Sequence, residues 1–157
     1  MESSFDLATF LIARRTSILE AAGTGISSRR LPHYEAAGSD EVAKRLATLF
    51  DVVVSAASER RLDRALTYSD TMARERQQSG HHLSEVQRAI NALEEQLWHA
   101  VLEDAPPDDQ GHALGVVSTI LGAIKDRLAC AYVSRAATKP THTLHIDELF
   151  RGAAGPT

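Results

Sequence analysis

The segment from residue 73 to residue 101 constrains the fold most, because it joins two helical patterns through a break that contains glycine. The polar run Arg74–Gln78 is typical of a helix end, and Gly80 is a typical helix terminator. Ser84 and Gln87 then have the spacing of a capping box, which predicts the start of a longer helix. Apolar residues recur at helical spacing along that helix: Val86, Ile90, Leu93, Leu97 and Val101.

Helical periodicity also dominates the chain before this segment. A first helix is predicted over about Ser4–Ala22, with Gly23 and Gly25 ending it. Pro32 indicates a connector, after which Ser39 has the position of an N-cap for a second amphipathic helix. A further helix is predicted over about Arg61–Gln78, and no strand-like alternation competes with these patterns. The sequence therefore predicts an all-α fold.

The last predicted helix, about Asp109–Ala137, is the longest, and Asp108 is placed to cap it. Its large apolar residues have heptad spacing: Leu114, Val117, Leu121, Ile124 and Leu128. A second apolar set lies beside them: Val116, Ile120, Ala123, Cys130 and Val133. Such a wide apolar arc suits either a helix that also packs on a second subunit or a central helix inside a monomer. We favour a homodimer with the heptad set at its interface.

Bulk properties limit the class of protein. A length of 157 residues suits a single domain, which we predict over residues 1–137, with residues 138–157 as a linker or tail. A net charge of −4 argues against nucleic-acid binding. Cys130 is the only cysteine, so an intrachain disulfide is impossible. No signal peptide or membrane-spanning run is evident in the sequence, so we expect no membrane association and a cytoplasmic location.

The sequence carries no recognisable catalytic or metal-binding motif. It lacks a glycine-rich phosphate loop, a nucleophile elbow, a His-Glu-x-x-His motif and a Cys-x-x-Cys pair. Glu95, His99 and Glu103 share one side of a helix, but they flank the apolar stripe and are expected to face solvent. We therefore predict no enzyme activity, no catalytic residues and no metal site.

The adjacent pair His81 and His82 is the main chemical question. In the break between two helices, both are expected to be exposed corner residues of little consequence for stability. The alternative is that His81 or His82 is the axial ligand of a haem. Because few aromatic residues are available to line a porphyrin pocket, we expect no cofactor.

A small apolar pocket is predicted beside the break. The helix over residues 61–78 has few large apolar groups, chiefly Leu62, Leu66 and Met72, so it should be the most mobile wall of the domain. The pocket would be lined by four residues, Tyr68, Met72, Leu83 and Trp98. A collapsed core without a cavity is an equally weighted alternative.

A family resemblance rests on residues of the second helix and of the segment around the break: Arg45, Leu46, Ala73, Glu75, Arg76, Gly80, Leu83, Glu85, Val86, Ala89, Leu93, Glu94 and Glu95. In these residues the chain resembles the N-terminal, non-haem globin-like domain of RsbR-type co-antagonists, the sensory proteins of bacterial stressosomes. The resemblance implies an all-α, globin-like bundle of about five to seven helices with a long C-terminal helix. It also implies a dimer formed by the last helices, no bound haem and a regulatory role.

These observations predict a non-enzymatic sensory module that dimerises and passes a packing change along its last helix. A haem-binding gas sensor of globin type is the alternative. The signal and the downstream signalling partner stay open.

Overall fold

The structure, a computed structural model, describes residues 4–138, and within them it contains seven α-helices and no strand. The helices are α1 Leu7–Ala13, α2 Arg15–Arg29, α3 Pro32–Ala37, α4 Ser39–Glu59, α5 Asp63–Gln78, α6 Leu83–Asp104 and α7 Pro107–Thr138. The predicted all-α class and the long final helix are confirmed. The tail after Thr138, with its predicted amphipathic turn at residues 146–150, lies outside the described residues.

The predicted first helix is divided in two at Arg14. The Asp6 side chain caps α1 by accepting a hydrogen bond of 3.0 Å from the backbone N–H of Thr9. At Arg14 the backbone leaves helical geometry, with φ −111° and ψ 10°. Its guanidinium group lies over the Phe10 ring and its Nε donates to Asp104 at the end of α6, at 3.0 Å. The single helix predicted over residues 4–22 is therefore wrong.

Glycines 23 and 25 do not end this helix, because α2 continues through them to Arg29. At Gly25 an added Cβ would lie 3.0 Å from Nη1 of Arg29, which donates to the Gly25 carbonyl at 2.8 Å, so the glycine leaves room for this side chain. The helix ends instead at Arg30, which has a left-handed backbone with φ 50°.

Three predicted caps are also displaced. Ser39 and Ser84 lie inside the first turns of α4 and α6, whose N-cap residues are Gly38 and His82. Neither N-cap makes a side-chain hydrogen bond to its helix. Asp108 lies inside α7, which begins at Pro107, and it contributes an acidic group to the first turn.

The long helix α7 packs on α4, α5 and α6, and α2 packs on α6 from another side. The α7 seam, defined as Val117, Leu121, Ile124 and Leu128, has no exposed area in a single chain. Their burial is complete within one chain, and a dimer interface that also uses these residues stays a prediction. Leu114 is half-buried. None of the helices within residues 4–138 is long and apolar enough to cross a membrane.

Helix α5 presents a face of mostly small residues to the core, namely Ala65, Ser69 and Ala73 beside Met72 and Arg76. The hydroxyl of Ser69 bonds back to the carbonyl of Ala65 at 2.8 Å, which satisfies this buried polar group. Met72 is therefore the one large apolar side chain that α5 buries fully. An arginine occupies the last buried position of the helix.

Candidate functional site

Buried polar side chains meet where α3, the break between α5 and α6, and α7 come together. We define this polar corner by six residues: His33, Tyr34, Arg76, His81, Glu85 and Tyr132. Gly80 ends α5 as predicted, with φ 82°, and the following N–H of His81 donates to the carbonyl of Arg76 at 2.9 Å. This turn directs His81 into the protein.

Glu85 joins the start of α6 to the start of α3. One carboxylate oxygen accepts the backbone N–H of His33 at 2.7 Å, and the other lies 2.7 Å from Nδ1 of the same residue. The His33 N–H is in the first turn of α3, where helix N–H groups lack intrahelical partners. Burial alone would raise the pKa of Glu85, but the hydrogen bonds from His33 outweigh it and lower the pKa. Glu85 is thus an ionised acceptor, and Nδ1 of His33 carries the hydrogen.

His81 is buried, with 6% of its area exposed, so the expectation of an exposed residue is wrong. Its ring centroid lies 4.7 Å from that of His33 and 5.3 Å from that of Tyr34, which meets it edge-on. Neither ring nitrogen of His81 has a hydrogen-bond partner within residues 4–138. Burial lowers its pKa, because a charged imidazolium would lose its hydration there. His82 is exposed as expected.

Tyr132 fixes this corner to α7. Its hydroxyl donates to the carbonyl of His81 at 3.1 Å, and its own carbonyl accepts from Nε2 of Gln77 at 3.4 Å. Burial raises the pKa of the Tyr132 hydroxyl to about 12, so it is a neutral donor. The C-terminal half of α7 is therefore hydrogen-bonded to the end of α5 and to the break that follows it.

A small cavity of about 20 Å³ lies beside the corner, which is room for roughly one water molecule. Tyr68 and Met72, two of the four predicted pocket residues, line it. Trp98 is instead 43% exposed on the surface, and Leu83 is half-buried away from the cavity wall. Most of the remaining lining is apolar: Ile26, Val42, Leu46, Leu49, Ala89 and Ile90.

Two arginines, Arg45 and Arg76, complete the cavity wall together with Tyr34. The Arg45 guanidinium lies 5.5 Å from the centre of the Tyr34 ring, within cation–π range. Burial raises the pKa of Tyr68 to about 12. An apolar cavity bounded by two permanent cations and neutral tyrosine hydroxyls suits an anionic partner.

The structure offers little for metal or haem. Within residues 4–138 no three His, Cys, Asp or Glu side chains are grouped to hold a metal ion. Glu95, His99 and Glu103 are exposed, and Glu95 pairs with Arg29 at 2.8 Å. Small-molecule pockets generally have about 300–1,000 Å³, so a haem at His81 would require this corner to open. The residues as packed do not fit a porphyrin.

A comparison with family models identifies the chain. The model described as the RsbT co-antagonist protein rsbRD N-terminal domain matches residues 16–138. The chain belongs to this family. The match begins in α2 and therefore includes the whole polar corner and the cavity. No curated protein and no solved structure gave a significant match.

The rsbRD N-terminal domains are a regulatory family and not a known enzyme family, in agreement with the sequence-based expectation. The contact of His33 with Glu85 was not predicted from the sequence, because the two residues are 52 positions apart. Arg45, Arg76 and Glu85 entered the sequence analysis only through the family resemblance. Each of these charged residues is next to an apolar position of its helix, and this sequence feature could have indicated that it lies close to the core.

Proposed function

We propose that this domain is the sensory input module of an RsbT co-antagonist-type stressosome protein, and that its α7 carries the signal to the rest of the assembly. The supporting observation is the 3.1 Å hydrogen bond from Tyr132 on α7 to the carbonyl of His81. It links the break between α5 and α6 directly to the C-terminal helix. A change at the corner would thus reach α7 through this hydrogen bond.

The corner has the physical character of a switch. Its polar groups are buried, and His81 and Arg76 keep nitrogen atoms without partners within residues 4–138. A buried donor without a partner is costly, so an arrangement that gives these nitrogens a partner would be favoured. A ligand or a protonation change that favours one arrangement would shift the population between them.

Dimerisation belongs to this proposal, as does a cytoplasmic location. With the α7 seam buried, an interface on the last helices would use exposed apolar side chains instead: Trp98 and Leu102 on α6 and Val133 on α7. Sedimentation at micromolar concentration tests this part, and a monomer would contradict it. Partners would be stressosome proteins, and the domain would act without catalysis.

The sensory role is tested in a chimera that replaces the N-terminal domain of an RsbT co-antagonist with this chain. We expect the chimera to join stressosomes and to change output under stress. Tyr132→Phe should blunt the change in output without preventing assembly, because only the link to His81 is lost. Glu103→Ala, an exposed substitution on α6, is the matched control and should behave as wild type.

An inert spacer gives a different result. If the output of the chimera is the same with this chain and with an unrelated helical domain of similar length, the sensory role is wrong.

A further inference from the structure

Two buried arginines lack acceptors for part of their guanidinium groups. Arg76 on α5 is 9% exposed, and the Arg45 side chain on α4 is 20% exposed. Nη1 of Arg45 and Nε of Arg76 are buried and have no hydrogen-bond partner within residues 4–138. A buried donor without an acceptor is destabilising. Both therefore offer a binding position to an acceptor from outside the chain.

Neighbouring acids do not supply that acceptor. Glu41 accepts from Nε of Arg45 at 3.2 Å, and Glu75 lies 3.7 Å from Nη1 of Arg76. These contacts use other nitrogen atoms than the two without partners. The Glu41 and Glu75 side chains are also 44% and 59% exposed, so solvent weakens both pairs.

The two arginines form a wall between two spaces. Arg45, Tyr68, Met72 and Arg76 line the inner cavity of about 20 Å³ and also an outer pocket of about 290 Å³. The outer pocket adds Glu41, Lys44, Thr48, Thr71 and Glu75. Its three basic and two acidic groups leave one net positive charge, which favours a monoanion. Met72, an unbranched and adaptable side chain, lies in the wall that the two spaces share.

The inner cavity determines which apolar group the ligand can carry. Its walls are mainly aliphatic, and its volume, which has room for about one water molecule, fits the terminal methyl group of a short alkyl chain. A guanidinium group pairs well with a carboxylate because its planar donors match the two oxygens. An inorganic dianion would leave the aliphatic space unfilled and exceed the net positive charge.

We propose that Arg45 and Arg76 bind the carboxylate of a short-chain monocarboxylate, of the size of acetate or propionate, with its alkyl group in the inner cavity. The carboxylate would satisfy the two free guanidinium nitrogens, and the Tyr68 hydroxyl lies in the same wall. This inference rests on the proposed function, since it names the chemical class of the signal.

Isothermal titration of the full chain with sodium acetate and sodium propionate, at constant ionic strength, tests the site. We expect saturable binding of one equivalent, weakened about tenfold or more in Arg76→Gln, because a charge-assisted hydrogen bond is lost. Arg45→Gln lies closer to the surface and gives a second test if Arg76→Gln fails to fold. Arg64→Gln is the control: it removes an exposed arginine from α5, the helix that carries Arg76, and this variant should bind as wild type.

Three results would overturn the carboxylate site. They are the absence of saturable binding, equal affinity for chloride, and affinity unchanged in both Arg45→Gln and Arg76→Gln. Tight binding of octanoate without loss of affinity would also contradict the size limit set by the cavity.

The titrations, together with hydrogen exchange in α7 and the stress response of the chimera, distinguish a failure of this site from a failure of the signalling proposal. If propionate binds as expected but hydrogen exchange in α7 does not change, the site is correct and the sensory role fails. If propionate does not bind while the chimera responds to stress, only the carboxylate site fails.

Discussion

The α7 seam and the polar corner are both buried, but they are stabilised in opposite ways. Val117, Leu121, Ile124 and Leu128 are fully buried among apolar side chains. The corner instead depends on a buried carboxylate, stacked imidazoles and hydrogen bonds between distant helices. The seam is densely packed, whereas the corner holds buried nitrogens without partners, which a rearrangement or a ligand could satisfy. The difference separates a rigid support from a region that can respond.

The largest expected effect is in the seam. Leu121→Ala should lower the free energy of unfolding by about 3 kcal/mol, because it leaves a cavity beside fully buried neighbours. Asp126→Ala on the same helix is the control, since Asp126 is exposed and the change should alter stability by about 0.5 kcal/mol or less. Urea denaturation measures both. Similar losses for the two variants would show that the seam is not the rigid support.

A smaller loss is expected at the carboxylate of the corner. Glu85→Ala should cost about 2 kcal/mol, because the N–H of His33 loses its acceptor at the start of α3. Glu85→Gln should recover part of this, since its side-chain oxygen still accepts one hydrogen bond. Urea denaturation at neutral pH measures the series. Equal stability of the wild-type and Glu85→Ala proteins would contradict the role of Glu85 in joining α6 to α3.

The smallest effect concerns His81, whose titration should lower the stability of the fold as the pH falls. Burial holds the pKa of His81 below its ordinary value of 6.5, so the unfolded chain takes up the proton first as the pH falls. This contribution to stability is complete above pH 6.5 and is lost as the pH falls below it. The charged and titratable groups facing His81 are Glu85, His33, Arg76 and Arg45.

His81→Leu removes this titration without removing a made hydrogen bond, because both ring nitrogens lack partners within residues 4–138. We expect stability at pH 7.5 within about 1 kcal/mol of wild type and a weaker decline below pH 6.5. His82→Leu, an exposed change next to it, should keep the wild-type pH dependence. If His81→Leu and wild type decline in parallel, His81 is not the titrating group.

The seam was predictable from sequence and the corner was not, for a physical reason. Heptad spacing in α7 reports which residues share a helix face, so the burial of Leu121 and Ile124 follows from local periodicity. It does not report what covers that face, so the sequence left open whether a second subunit or the same chain does, and within one chain α4, α5 and α6 pack on α7. The contact of His33 with Glu85 depends on how α3 meets α6, and no local pattern encodes that.

The candidate pocket, too, could be predicted only in part from local periodicity. Tyr68 and Met72 follow from the small apolar face of α5, and both line the cavity. Trp98 was predicted as an opposite wall, but its position on α6 turns it to the surface. The arginines of the wall were not expected inside, because periodicity assigns charged residues to solvent.

The central claim is that the corner responds and is connected to α7, while the seam stays fixed. Amide hydrogen exchange of the wild-type chain and of Tyr132→Phe tests it most directly. We predict that α5 opens at a lower free energy than residues 117–128 in the wild type. In Tyr132→Phe, exchange should accelerate at residues 76–81 and in the last turns of α7, with residues 117–128 unchanged. Equal protection of α5 and the seam, or acceleration of residues 76–81 without any change in α7, would contradict the account.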